Sequence, residues 1–303
     1  MKYQYINGMS ARDYMSMEIP PERYVIPGLI GDGMSIIGGK PKIGKSMFSL
    51  NMALSMASGG SFLGQDIEMG MVGYIALEDN ARTIRKRLNT MVKRVNQDAL
   101  DNLIIFDKTE GDNKLDWLDN VLDANPEFRL IIIDTLYKFG LAKLGSYDVS
   151  YDSMDAIRCI SQKYDVPIII IDHLRKAEGA STVDLFAGSI GKTGAVDGLI
   201  TLVDSRKPGV DGVLCAQGRD IQKTEIELSI DRDCLFWTLR EEKLSKKEMM
   251  IQIMKANNPV ALSLDEWSNK AGIDYAYTKA LIGRLCENGV AVRVDRGLYR
   301  FNG

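Results

Sequence analysis

The chain has 303 residues, 45% hydrophobic and 26% charged, with a formal net charge of -3. That balance belongs to a globular protein with a sizeable core and excludes a mainly disordered chain or a collagen-like repeat. The longest aliphatic runs, FRLIIID and VPIIIID, fall far short of the roughly 20 apolar residues that cross a bilayer. No basic-then-apolar leader opens the chain, so a cytoplasmic protein without a membrane partner is expected. The four cysteines, Cys159, Cys215, Cys234 and Cys286, lie far apart and predict free thiols, mostly buried, not a disulfide framework or a zinc site. Charge is unevenly spread. Residues 243–303 hold ten Lys/Arg and six Asp/Glu, +4, against -7 for the remainder, so a small basic module follows an acidic body.

In chain order, residues 1–30 read as a lead-in of loop and turn, punctuated by Pro20-Pro21 and Pro27-Gly28. From residue 34, short aliphatic runs alternate with helical stretches. The runs are Met34–Ile37, Met71–Leu77, Leu130–Ile133, Pro167–Ile171 and Gly198–Val203. Continuous apolar runs between helices predict buried parallel strands covered on both faces, an α/β fold with a mainly parallel sheet. After residue 210 the pattern turns hairpin-like, in GVLCAQGRD, TEIELSID and CLFWTL. The charged stretch LREEKLSKKE marks a domain boundary, giving a core over 1–240 and a module over 245–303.

The first run leads into SIIGGKPKIGKSMFSLNMALSMA, which contains G-x-x-x-x-G-K-S from Gly39 to Ser46 between a strand and a helix. Gly39 and Gly44 let backbone amides turn inward around phosphate oxygens, and the helix N-terminus adds its positive end. Lys45 is suited to reach the β- and γ-phosphates of ATP, and the Ser46 hydroxyl to ligate Mg²⁺. Lys40, Pro41, Lys42, Ile43 and Met47 complete the expected nucleotide-binding stretch. The second run ends in Glu78-Asp79, where Glu78 is the candidate to orient or deprotonate the attacking water. The helix after it carries Arg82, Arg85, Lys86, Arg87, Lys93 and Arg94, which reads as a solvated face, a subunit interface or a nucleic-acid contact. The third run ends in Asp134, an acid whose burial is costly unless it serves a cation or a hydrogen-bond network. The fourth ends at His173, the chain's one histidine.

In this order and spacing, GGKPKIGKS, ALED, LIIIDT, IIIDH and GRD resemble the RecA-like ATPase core over about residues 20–240. The similarity is to the hexameric helicases of plasmids and phages, the RepA-type relatives of the DnaB replicative helicase. A glutamate on the strand after the P-loop helix, rather than beside the Walker B aspartate, marks this branch apart from AAA+ ATPases. The resemblance implies that Glu78 is the catalytic glutamate, Asp134 the Walker B acid holding the metal with Ser46, and His173 the γ-phosphate sensor. It implies a homo-oligomer, a hexamer, in which a basic residue of one subunit reaches the γ-phosphate of the next. Arg219 is the candidate finger and Arg206 the second, although Gln217 stands where the family often has Lys. It further implies that the loops over 138–152 and 174–194 hold single-stranded DNA, with Lys138, Lys143, Arg175, Lys176 and Lys192 as contacts. About 30 residues precede the first core strand, so a plasmid- or phage-type helicase without the large N-terminal primase-interacting domain is expected.

The C-terminal module opens with two capping boxes, Ser245-x-x-Glu248 and Ser263-x-x-Glu266. Met250, Ile251 and Met254 share one face of its first helix. Asp274 caps a third helix with Leu281, Ile282 and Leu285 inward, ended by Asn288-Gly289. Two β-runs then flank Asp295-Arg296-Gly297. Three helices and a hairpin resemble a winged helix-turn-helix. Tyr275, Tyr277, Thr278 and Lys279 would face a groove of duplex DNA, with Arg293 and Arg296 on phosphates; a replication protein is the other partner expected. The functional expectation is a Mg²⁺-dependent ATPase acting as a helicase or translocase on single-stranded DNA of a mobile element. A single-strand recombinase or annealing protein, and an ATP-controlled DNA-bound regulator, are the alternatives.

Overall fold

The isoleucine-rich runs FRLIIID and IIIIDH form central strands because both of their faces are covered. Side chains alternate between two apolar layers: Leu130, Ile132, Ile169 and Ile171 enter one, and Ile131, Ile133, Ile168 and Ile170 enter the other. Removing each such side chain from water contributes about 2 kcal/mol. In the computed structural model, the described residues are 8–18, 23–140, 147–173, 194–219, 221–240 and 245–302. The chain divides into two compact units, Met1–Arg240 and Glu241–Gly303.

The larger unit opens with α1 (Ala11–Met15) and a small antiparallel pair, β1 (Tyr24–Ile26) and β2 (Ile30–Gly31). The lead-in expected as loop and turn therefore contributes to the core: Val25, Ile26, Leu29 and Ile30 are buried. The central sheet then takes β3 (Met34–Gly39), β6 (Met71–Ala76), β7 (Leu103–Phe106), β8 (Phe128–Asp134), β9 (Ile168–His173) and β10 (Gly198–Val203) as parallel strands. Three antiparallel strands extend it, β11 (Gly212–Gly218), β12 (Thr224–Asp231) and β13 (Phe236–Leu239). The order is β13-β12-β11-β10-β3-β9-β8-β6-β7. A separate hairpin, β4 (Gly60–Phe62) with β5 (Gln65–Ile67), follows the first long helix.

That helix, α2 (Lys45–Ser58), is apolar nearly all round and buried against one face of the sheet, beside α3 (Ala81–Met91). Helices α4 (Lys114–Ala124) and α5 (Tyr147–Tyr164) cover the other face. The start of α5 means that the expected loop over 138–152 is helical from Tyr147. Among the described residues, no helix is long and apolar enough to cross a membrane.

The smaller unit contains α6 (Lys246–Ala256), β14 (Leu262–Ser263), α7 (Leu264–Ala271), α8 (Tyr275–Glu287) and the hairpin β15 (Ala291–Asp295)–β16 (Leu298–Phe301). Strand β14 pairs with β16, so the sheet has three strands. Both capping boxes form, each with its serine accepting from the N3 amide and its glutamate accepting from the serine N–H. Trp267, Met250, Met254, Ile282 and Leu285 form the core.

Candidate active site

Sheet register brings the sequence motifs to one place. Gly39 at the end of β3 pairs with His173 at the end of β9, Asp134 of β8 pairs with Ile171, and Ala76 of β6 pairs with Asp134. Four parallel strands thus finish level, and the turns after them share the C-terminal edge of the sheet, where α/β folds bind ligands. The loop from Gly39 to Lys45 is shaped by two positive φ angles, 67° at Lys42 and 100° at Gly44. Gly44 caps α2 with no side chain, leaving the first amides of the helix to another acceptor.

Lys45 lies at the centre, only 4% exposed. Its Nζ donates to the carbonyls of Gly39 (2.9 Å) and Lys40 (3.0 Å) and lies 3.1 Å from His173 Nδ1. The ammonium has no acceptor, so Nδ1 must accept, which assigns the ring proton to Nε2. Nε2 in turn faces Glu78 Oε2 at 3.5 Å. Lys45, His173 and Glu78, drawn from three separate segments, therefore form one bridge. Burial lowers the Lys45 pKa, against the opposing pull of Asp134, then Glu78, then Asp172.

Asp134 is buried beside this bridge. Tyr74 donates to its Oδ2 at 2.8 Å, while Oδ1 has no hydrogen-bond partner. Burial pushes the Asp134 carboxyl above its usual range. The Ser46 and Tyr74 hydroxyls pull it back, and Glu78 and Asp79 push it further up. Burial, then the charge of Asp134, drives the Tyr74 phenol well above its ordinary value. A buried carboxylate oxygen without a donor, beside the Ser46 hydroxyl, fits a hard divalent cation. Among the described residues no cluster of three or more His, Cys, Asp or Glu side chains could hold a metal alone. A cation here would complete its shell from phosphate and water, the usual habit of Mg²⁺.

The profile of one protein family, described as an AAA domain, matches residues 4–179, more than half of the chain. The chain belongs to the AAA domain family. Its solved neighbours share the fold. The RadB recombinase is 17% identical over 71% of this chain and 92% of its own, with a TM-score of 0.50. A DnaB-like replicative helicase is 18% identical over 68% of this chain and 59% of its own, at 0.53. A KaiC-like protein of Pyrococcus horikoshii is 16% identical over 73% of this chain and 100% of its own, at 0.51. This AAA domain is a P-loop ATPase core with the RecA-like fold expected from its motifs.

Around the site of this AAA domain, Asp79 does not cap α3. It forms an ion pair with Arg87, while Asn80 accepts from the Thr83 amide as the cap, and Glu78 is left facing His173. Among the described residues, none of the other proposed cations contacts the bridge. Arg206 is exposed two residues beyond Asp204, which pairs with Lys40 of the P-loop at 3.6 Å. Arg219 pairs with Asp197 at 3.2 Å. It follows Gly218, which lies level with Gly198 and Ser35, about 13 Å along the sheet from Gly39. It therefore lies at the opposite edge from its own P-loop. Lys138 is exposed beyond Asp134. Lys143, Arg175, Lys176 and Lys192 lie outside the described residues.

In the smaller unit Tyr275, Tyr277, Lys279, Arg293 and Arg296 are exposed, and Lys246 Nζ stands 4.9 Å from the centre of the Tyr277 ring. Thr278 departs from its expected place. It is fully buried, because it follows the i, i+3, i+4 rhythm of Leu281 and Ile282 into the core. Two residues at the site escaped the sequence reading. Tyr74 shares the α2-facing layer with Ile132, its register partner, and the polar residue in MVGYIA was the only cue. Asp172, buried, accepts from the His173 amide at 2.9 Å and adds negative charge near Lys45.

Proposed function

We propose that this chain is a Mg²⁺-dependent ATPase that works as a homo-hexameric helicase or translocase on single-stranded DNA, in replication of a plasmid, phage or other mobile element. The observation that carries the hydrolytic part is the Lys45–His173–Glu78 bridge beside the half-satisfied Asp134. In this reading Lys45 leaves the Gly39 and Lys40 carbonyls to bind the β- and γ-phosphates, which offer it charge-assisted hydrogen bonds. Ser46 and Asp134 hold Mg²⁺, which when bound neutralises charge on the phosphate oxygens. Glu78 orients the attacking water and receives its proton. His173 loses Lys45 as its donor when the phosphate arrives and regains it when the phosphate leaves, so its contact with Glu78 reports nucleotide state.

The RecA-like fold shared with a recombinase and a replicative helicase supports single-stranded DNA as the partner. Lys138, Lys143, Arg175, Lys176 and Lys192 are the contacts assigned to it. Arg219, at the edge away from its own P-loop, suits reaching a neighbouring subunit; Arg206 is the second candidate. The smaller unit, read as a winged helix, is assigned to duplex DNA or a replication protein through Tyr277, Lys279, Arg293 and Arg296.

The test is steady-state ATP hydrolysis with no DNA, duplex DNA and single-stranded DNA at one fixed salt concentration. Strong stimulation by single strands is the expected result. Hydrolysis indifferent to single strands, with tight duplex binding, would instead favour the DNA-bound regulator, for which the exposed cations of the smaller unit speak. Strand pairing without unwinding would favour the recombinase.

A further inference from the structure

The last strand of the larger unit touches the end of its phosphate loop, at the residue that caps α2. Strand β13 lies at the edge of the sheet, four strands from β3, which would separate them by about 19 Å in a flat sheet. The sheet curls over α2 instead. Trp237, 1% exposed, reaches Gly44. Its indole N–H donates to the Gly44 carbonyl at 3.4 Å, and a Cβ on Gly44 would stand 3.1 Å from the ring. Gly212 on β11 leaves space for the other side of the same ring, where a Cβ would also stand 3.1 Å away.

A second contact joins the same two elements. Asn51 of α2 is fully buried. Its Nδ2 donates to the Leu235 carbonyl at 3.1 Å, and its Oδ1 accepts from the Trp237 amide at 3.0 Å. This buried polar side chain is thus bonded through both its nitrogen and its oxygen to the backbone at the start of one strand. Gly44 holds the left-handed turn, φ 100°, that starts α2 and sets the direction of Lys45. A rigid ring against that turn, anchored by Asn51 below it, restricts where the loop amides can point.

We propose that Trp237 and Asn51 are positioning residues that hold the phosphate loop in its nucleotide-accepting turn, so that nucleotide affinity is set from β13. This strand also leads directly into the segment that joins the two units. The inference rests on the nucleotide-binding reading of the loop. Glu78 and His173 stand at the ends of other strands, so affinity should respond more than the chemical step.

Two substitutions test it in the full chain. Trp237→Phe keeps an aromatic ring and removes the indole donor; Asn51→Leu keeps the branched outline and removes both bonds to the strand. Each should raise the Kd for a fluorescent ATP analogue about tenfold, with kcat at saturating ATP within about twofold of wild type. Thr238→Val, which removes the bond from Thr238 Oγ1 to the Ser229 carbonyl (3.3 Å) in the same hairpin, should leave Kd unchanged.

A second measurement needs no substitution at the strut. The chain has three tryptophans, Trp117, Trp237 and Trp267. In chain labelled with 5-fluorotryptophan, saturation with the analogue should shift the Trp237 ¹⁹F resonance, identified by elimination with Trp117→Phe and Trp267→Phe, and leave Trp117, in the opposite layer, in place. An unmoved Trp237 resonance, an unchanged Kd in both variants, or an equal rise in Thr238→Val overturns the strut. A wild-type chain that fails to bind the analogue overturns the nucleotide reading beneath it instead.

Discussion

The larger unit buries charge, whereas the smaller one keeps charge outside. At the end of the parallel strands Lys45, Asp134 and Asp172 are buried among isoleucines, and Asp134 Oδ1 lacks a partner. In the smaller unit the buried polar groups are mostly satisfied close by. Ser268 Oγ donates to the Ile273 carbonyl at 2.5 Å and Trp267 Nε1 to the Tyr299 carbonyl at 3.0 Å; among the described residues of this unit only the Thr278 hydroxyl is left over. A half-satisfied buried carboxylate costs stability that a purely structural element has no reason to carry. Chemistry is therefore expected in the larger unit, and recognition by exposed side chains in the smaller.

The sharpest way to break that division is at Lys45. Lys45→Ala should lower ATP turnover about 10³-fold or more in a phosphate-release assay, since among the described residues no other cation touches the bridge. Next comes the core of the smaller unit. Trp267→Ala should cost it about 3–5 kcal/mol, seen by calorimetry as an earlier transition, while ATP hydrolysis without DNA stays near wild type. Joint loss of both would contradict the division. Ser263→Ala removes one capping box and should cost the same unit about 1 kcal/mol, read from the same transition. The smallest effect is expected at the β15–β16 hairpin. Arg293→Ala and Arg296→Ala should each reduce by about one the slope of log affinity for duplex DNA against log salt concentration, without touching hydrolysis.

Much of the larger unit was legible because its signals are local. G-x-x-x-x-G-K-S needs only its own strand and helix, and LIIIDT and IIIDH announce strand-end polar residues after buried runs. The short elements were harder. Val25 and Ile30 sit between prolines and glycines, yet their side chains enter the core; LIIF, now β7, was too brief an apolar run to separate from the helical residues around it. Distance in sequence hid the rest. The bond from Tyr74 to Asp134 spans 60 positions and that from Trp237 to Gly44 spans 193, so neither leaves a periodic trace. In the smaller unit, capping serines and helix periodicity fixed the elements, but Thr278, polar by composition, follows the buried rhythm of its helix instead.

The most direct test of the central claim, that Lys45, His173 and Glu78 form a hydrolytic bridge, is a paired measurement on Glu78→Gln. The substitution keeps the size of the side chain and removes its ability to take a proton. ATP affinity should stay within a few-fold of wild type, while single-turnover hydrolysis should slow about 10²-fold or more. Near-normal hydrolysis by Glu78→Gln would contradict the account, because the water-orienting group would then lie elsewhere.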